Sequence, residues 1–428
     1  MQQTMFLRAQ LLVVLLLLGS ILLSACGGSA PAPAATEAPA ATEAPAATEA
    51  PAATEAPAAD PSSEPFVFGM VLVGPINDGG WSQAHYEGAL YAEERLPDSK
   101  FIYIDKVNPA DKPNVQVEQV VDELVDQGAK LIITNSDDFK DGTREAAKAH
   151  PDVIFIHASG DDVLTGLAPP NLGNLMGKME YGKMIAGCAA ALTTESGRIS
   201  YLGPLINDET RRLVNSAFLG ARHCWTELRG NDPAELSFEV TWIGFWFNIP
   251  GVTLDPTQVA NDFINSGTDV IISGIDTTEA LIEANKATQA GKPVFAVPYD
   301  FEGACAQAED VCLGVPYFHW GPSYLETITA AEQGTWAPTW QWLDPDWNDI
   351  NNKDTSAIGF IKGAGLSDEV GTQLDEFIAG LADDSISLFT GPLNFQDGTV
   401  FLAEGEVATD EQIWYMPQLL EGITGRSE

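Results

Sequence analysis

Carboxylates, amides and aromatic rings gather where the chain's apolar runs end. Six such endings read GPINDGGW from Gly74, NSDDF from Asn135, HASGDD from His157, GFWFN from Gly244, GIDTTE from Gly274 and PYDFE from Pro298. Carboxylates and amides accept hydrogen bonds from amines, ring N–H groups and hydroxyls, and aromatic faces stack on flat rings. The chemistry on offer is therefore the binding of a small polar ligand. Covalent chemistry lacks its parts: the chain has no GxSxG, no Walker sequence, no HExxH and no GxGxxG after a strand. The five histidines, His85, His150, His157, His223 and His319, are scattered without metal-ligand spacing. His157 alone ends an apolar run, and a structural role is the simpler reading of it. The neighbouring aspartates Asp137 with Asp138 and Asp161 with Asp162 read as loop and cap residues, since a chain this acidic has many such pairs. A binding protein is expected, with no enzyme activity, no metal and no cofactor.

The runs that must position these residues start at Phe66 (FVFGMVLV), Phe101 (FIYI), Lys130 (KLIIT), Val153 (VIFIH), Arg198 (RISYL), Leu236 (LSFEVTWI), Asp269 (DVIIS) and Pro293 (PVFAV). Short continuous runs of Val, Ile and Phe are the mark of strands buried on both faces. Stretches of helical periodicity lie between them, which implies parallel sheets with right-handed crossovers, an α/β fold. Ligands of such sheets sit beyond the carboxyl ends of the strands, where the polar and aromatic endings lie.

The first 25 residues carry one positive charge, Arg8, and the apolar stretch LLVVLLLLGSILLSA ahead of Cys26. That stretch falls short of the about 20 residues a membrane-spanning helix needs, so a cleaved signal is expected at 1–25. Leu23 to Cys26, LSAC, matches a bacterial lipobox, which makes Cys26 the expected lipidation site and places the chain outside the cytoplasm on a membrane anchor. An uncleaved anchor with an incidental cysteine is the alternative. The unit TEAPAA then recurs four times from Thr36. Ala, Pro, Thr and Glu bury too little apolar surface to offset the entropy of ordering, so 26–65 reads as a disordered tether.

The roughly 360 residues that follow suit two lobes better than one core. With 61 acidic against 21 basic residues the net charge is −40, which argues against nucleic acid and anionic lipid as partners and is compatible with neutral or cationic ligands. Four cysteines remain after Cys26. Cys305 and Cys312 flank a short acidic turn and are expected to be bridged. Cys188 and Cys224 each lie on an apolar helical face, with a second disulfide or two buried thiols left open.

Four ordered blocks carry a family resemblance: VGPINDGGWSQAHYEGA from Val73, VTWIGFWFN from Val240, GVPYFHWGPSY from Gly314 and the tail from Gly391 to Gly425. Over Phe66 to Gly425 the chain resembles the basic membrane protein family of substrate-binding lipoproteins, which serve ABC importers and include purine nucleoside receptors. The resemblance implies the type I periplasmic-binding fold, with two doubly wound parallel-sheet lobes joined by three crossing segments and a monomer as the working unit. The expected organisation is lobe one at 66–172, lobe two at 173–302, a return to lobe one at 303–340, and the third crossing, completion of lobe two and the tail at 341–428. Trp336, Trp340, Trp342 and Trp347 would fall in the crossing and a surface loop.

Carried over by position, the resemblance implies a flat heterocycle held between Trp81 of the first lobe and Trp246 or Phe247 of the second. Asp300 would grip sugar hydroxyls, with Asp276 at the end of the preceding strand. Asn77, Asp78, Ser136 and Asp138 would face the heterocycle's edge, and Trp320 could form a cleft wall. A lysine that assists ribose binding in the nucleoside receptors has no match in Tyr317, Phe318, His319 and Trp320, which leaves a free base in contention. The implied partner is an ABC transporter permease, with hinge closure as the mechanism. A ligand-sensing receptor of the same fold, or a binder of a sugar or flavin, is the alternative.

Overall fold

The structure, a computed structural model, describes residues 64–428. The signal segment, Cys26 and the TEAPAA repeats lie outside the described residues.

The first five strands are β1 (Phe66–Val71), β2 (Ser99–Ile104), β3 (Leu131–Thr134), β4 (Ile154–His157) and β5 (Leu172–Gly177), with helices α1 (Trp81–Arg95), α2 (Val117–Asp126) and α3 (Lys140–Ala149) between the first four. The chain then enters a second α/β layer. There α4 (Met179–Thr193) leads to β6 (Arg198–Gly203), α5 (Asp208–His223), β7 (Ser237–Trp242), α6 (Pro256–Ser266), β8 (Val270–Ser273), α7 (Glu279–Gln289) and β9 (Phe295–Val297). Next come β10 (Gly314–Phe318), α8 (Trp320–Glu332), β11 (Trp340–Leu343), β12 (Ile358–Lys362) and α9 (Asp368–Ala382). The tail adds β13 (Leu393–Asn394), β14 (Val400–Leu402), α10 (Asp410–Trp414) and β15 (Ile423–Thr424).

Two parallel sheets result. The first has the order β11-β5-β4-β3-β1-β2 and the second β15-β7-β6-β8-β9. In each sheet the winding direction reverses once, between β1 and β3 in one and between β6 and β8 in the other. Loops on either side of such a reversal diverge and leave a crevice at the strands' carboxyl ends. The strands earn their places by burial: β3, β5 and β8 are buried at every position.

The crossings fall at other places than the sequence suggests. β5 pairs with β4, so the first sheet runs through Gly177 and the chain leaves lobe one at Lys178, not at 172. Residues 303–318 stay with lobe two: Cys312 bridges to Ala296, Tyr317 bridges to Asp300, and the return to lobe one occurs between Phe318 and Trp320. β11 is an edge strand of the first sheet, so the third crossing lies between Leu343 and Ile358. Trp340 and Trp342 therefore belong to a strand, where both indoles pack edge-on against Trp414 at 5.0 and 5.1 Å.

Lobe two is organised around α4 and α5. A side chain at Gly187 would place its Cβ 1.9 Å from the Ala217 carbonyl oxygen, and one at Gly220 would stand 2.0 Å from that of Met184. The two helices touch through bare backbone there, and the Cys188–Cys224 disulfide fastens the same contact. Cys305 and Cys312 are also bonded. The start of α5 is set by Asn207, whose side chain accepts from the Thr210 N–H while the Thr210 hydroxyl accepts from the Asn207 N–H, a reciprocal cap.

Candidate functional site

The crevices of the two sheets meet in one cavity. Lobe one contributes Trp81 from the start of α1 and Ser136 and Asp137 from the turn after β3. Lobe two contributes Pro204 from the turn after β6, Glu209 from the first turn of α5, Trp246 from the loop after β7, Asp276 from the turn after β8, and Tyr299 with Asp300 from the turn after β9. Four carboxyl groups, Asp137, Glu209, Asp276 and Asp300, line this cavity, and no lysine or arginine does.

Asp300 is fully buried, and neither of its carboxylate oxygens has a hydrogen-bond partner. Its backbone is held in the left-handed region at φ 72°. The Asp300 N–H donates to the Pro316 carbonyl at 3.1 Å, and the Phe318 N–H donates to the Asp300 carbonyl at 3.2 Å. A non-glycine residue fixed there costs on the order of 1–3 kcal/mol, a cost that clusters at functional sites. Burial raises the Asp300 carboxyl well above the ordinary range, opposed by the charge of Lys183. Asp276 is pushed up likewise by burial, with Asp300, Asp78, Glu209 and Asp138 adding repulsion, and its Oδ2 also has no partner. Burial raises Glu209, with Arg212 opposing. These groups suit a ligand rich in hydrogen donors.

Of the ten sequence-proposed ligand residues, the structure brings Trp81, Ser136, Trp246, Asp276 and Asp300 to the cavity wall. The other five go elsewhere, for physical reasons. Asn77 is exposed and away from the cavity. Asp78 turns its carboxylate onto the start of α1, where it accepts from the N–H groups of Gly80, Ser82 and Gln83 at 2.9–3.0 Å. Asp138 does not line the wall but holds it: its Oδ2 accepts from the Trp246 indole N–H at 2.9 Å, across the lobes. Phe247 packs edge-on against Phe245 at 5.1 Å and onto the core of lobe one. Trp320 is buried behind Trp81, stacked on His85 at 4.1 Å and on Phe318 at 4.8 Å. Trp81 belongs to that aromatic cluster too, with its indole N–H donating to the Asn135 carbonyl. Removing its ring would therefore disturb the core as well as the cavity. His157 sits buried with Nε2 against the Ser136 carbonyl at 2.8 Å, outside the cavity wall.

Glu209, Tyr201 and Lys183 were not singled out from sequence. Glu209 had a signal, because GPLINDE from Gly203 repeats the GP-IND pattern of GPINDGG after β1. Lys183 had none, being embedded in the apolar helix α4.

The lobes also touch directly. Asn207 Nδ2 donates to Asp137 Oδ2 at 3.2 Å, and the Tyr415 hydroxyl donates to Asp161 Oδ2 at 2.8 Å. Gly80 lies so close to the Asp276 carbonyl that a Cβ would stand 1.9 Å from its oxygen. On the hinge side, Arg212 pairs with Glu180 at 2.6 Å in a buried ion pair and lies 4.1 Å over the Trp414 ring. Among the described residues, no cluster of His, Cys, Asp and Glu is placed to hold a metal ion, and no helix is long and apolar enough to cross a membrane.

The model of the Bmp family, described as ABC transporter substrate-binding protein PnrA-like, matches residues 66–224. A purine-binding protein of Brucella abortus is 27% identical over 366 residues, 85% of this chain and 94% of the relative. A putative ABC transporter glucose-binding protein of Haloferax volcanii is 26% identical over 357 residues, 83% and 79% of the two chains. Among solved structures, an ABC transporter solute-binding protein of Aeropyrum pernix aligns with TM-score 0.58 at 12% identity, over 77% of this chain and 93% of its own. One of Conexibacter woesei aligns with TM-score 0.54 at 17% identity, over 75% and 97%. These likenesses fix the fold as that of the type I periplasmic binding proteins.

Proposed function

We propose that this chain, a member of the PnrA-like (Bmp) family of ABC transporter substrate-binding proteins, carries a purine nucleobase or nucleoside to an ABC importer from a lipid anchor at Cys26. The observation that carries the ligand reading is the cavity wall. Indoles from opposite lobes, Trp81 and Trp246, border it together with the buried, unpartnered carboxyls of Asp276 and Asp300. Aromatic faces favour a flat ring, with stacking contributing roughly 1–3 kcal/mol per base. The carboxyls favour exocyclic amines, ring N–H groups and sugar hydroxyls. Four carboxyls with no basic residue in the wall disfavour a phosphate-bearing nucleotide. The purine-binding name of the Brucella relative supports the same reading.

Transport would follow from closure. Contacts made by one ligand to both lobes favour the closed arrangement, which the importer then recognises. Calorimetry of the purified protein against purine bases, nucleosides, riboflavin and glucose tests the reading. Micromolar or tighter binding of a base or nucleoside is expected, and Asp300→Ala should weaken a nucleoside far more than its base. Tight glucose binding with no purine binding would replace the reading by the sugar alternative, which the name of the Haloferax relative and the carboxyl-rich wall favour.

A further inference from the structure

The loop that carries Trp246 is built as a unit of its own. It leaves β7 at Ile243 and closes at Leu254, whose N–H donates to the Ile243 carbonyl at 2.9 Å, so residues 244–253 form a compact surface loop whose ends meet. Backbone bonds tie its base to lobe two: the Ile243 N–H donates to the Gly203 carbonyl at 2.9 Å and the Gly244 N–H to the Pro204 carbonyl at 2.8 Å. Inside the loop the Thr253 hydroxyl accepts from the Ile249 N–H at 2.9 Å. Gly244 and Gly251 stand at φ 102° and 82°, the left-handed region that glycine enters without strain. The aromatic side chains of the loop, by contrast, are seated on lobe one. Phe245 lines a groove with Val107 and Pro109 from the turn after β2, Val117 at the start of α2 and Phe139 after β3. Phe247 meets Phe245 edge-on at 5.1 Å, and both pack against the core cluster that contains Val107 and Phe139. Among the described residues, neither ring packs against the apolar clusters of lobe two.

We propose that Phe245 and Phe247 are positioning residues: by seating on lobe one they bring the Trp246 ring to the cavity wall, so that contact with the opposite lobe sets the second aromatic face of the ligand site. The loop's bonds to lobe two run through backbone atoms and leave the three side chains free to be placed from outside. The Trp246 indole N–H finds its partner in lobe one, at Asp138 Oδ2. The two phenylalanines flank Trp246 in sequence and hold the loop down on either side of it. Apolar surface taken from water contributes about 25 cal/mol per Å². Phe245 and Phe247 gain that contribution only where lobe one covers them, so both favour the closed arrangement. A ring held in this way stands at the wall when the lobes are together, and the parted lobes present half a slot.

The proposal rests on the reading of this cavity as the ligand site, and its test separates the two. Calorimetry of the full-length protein with adenine, adenosine, riboflavin and glucose first fixes which ligand is bound, and a double-mutant cycle is then run on that ligand. Phe245→Ala is expected to weaken binding at least tenfold, by the same factor for adenine and adenosine, because the Trp246 ring meets the base that both share. In a Trp246→Ala background the same substitution should change affinity by less than threefold. Phe245→Leu, which keeps an apolar anchor for the groove, should recover most of the affinity that Phe245→Ala loses. If Phe245→Ala proves unstable, Phe247→Ala with the same Trp246→Ala partner provides the cycle. Equal weakening with and without the Trp246 indole overturns the proposal, as does an affinity of the folded variant within threefold of wild type. If the wild-type protein binds glucose and no purine, the ligand reading falls, while the cycle on glucose still decides whether the phenylalanines act through Trp246.

Discussion

Gly80→Ala should act as a wedge between the lobes. The new Cβ would stand 1.9 Å from the Asp276 carbonyl oxygen, 2.7 Å from the carbonyl carbon and 3.3 Å from Cα. These are backbone atoms of the opposite lobe, which no side-chain rotation can move aside. An ordinary non-bonded contact is about 3.5 Å, so the lobes must part there by about 1.5 Å. The Asp276 N–H is bonded to the Trp246 carbonyl at 2.9 Å, so Trp246 moves with Asp276 and away from Asp138. The indole–carboxylate bond at 2.9 Å would then exceed hydrogen-bonding distance. Hydrogen bonds to charged groups contribute about 1.5–3 kcal/mol, and residual overpacking costs about 1–3 kcal/mol more. Both costs fall on the closed arrangement, so ligand affinity should drop by roughly fiftyfold to about ten-thousandfold. Calorimetry reads the affinity, small-angle scattering reads an increased radius of gyration with ligand, and the ligand-free Tm should hold. Affinity within threefold of wild type would show that the bound form does not bring Gly80 against Asp276. A ligand-free Tm that falls as far as the affinity would place the cost inside lobe one.

Two further perturbations test the frame around the cleft. The Cys188–Cys224 bridge closes a separation of 36 residues, for which chain entropy gives about 3–4 kcal/mol of stabilisation. Denaturant unfolding of Cys188→Ala with Cys224→Ala should show a loss of that size, and an unchanged midpoint would deny the bridge a role in joining α4 to α5. Asp78 is pushed up to about 6, chiefly by burial and against its three cap bonds. A carboxyl raised on folding contributes stability below its unfolded value near 3.8 and loses that contribution as the pH climbs through about 6. Relative to Asp78→Asn, the wild-type protein should therefore lose on the order of 1–2 kcal/mol between pH 4 and pH 7, after allowance for the partial exposure of the carboxyl. A stability difference constant over that range in thermal melts would refute the assignment.

The cleft was legible in the sequence wherever its residues obey the geometry of parallel strands. Apolar runs marked β1 to β4 and β6 to β9, the rule that ligands lie past strand ends led to the segments NSDDF, GFWFN, GIDTTE and PYDFE, and the family resemblance led within them to Ser136, Trp246, Asp276 and Asp300. The same rule, applied to the run at Arg198, would have reached Pro204 and Glu209. Side-chain direction was not legible, because a residue past a strand end can turn toward the backbone as easily as toward a ligand. Asp78 satisfies the first N–H groups of α1, and Trp320 opens α8 toward the core. The crossings were misplaced because β5, with Gly173 and Asn174, and β11, four residues in a Pro-containing stretch, lack the apolar run that identified the other strands. Lys183 shows a deeper limit. On a helix it is one polar position among buried alanines, and nothing in its spacing points to Ser273 or Tyr299. Its meaning arises only when α4 crosses beneath β9 and brings an ammonium behind Tyr299. Its amine donates to the Ser273 carbonyl at 2.7 Å and lies 3.2 Å from the Tyr299 ring centre, contacts that only the folded chain brings together.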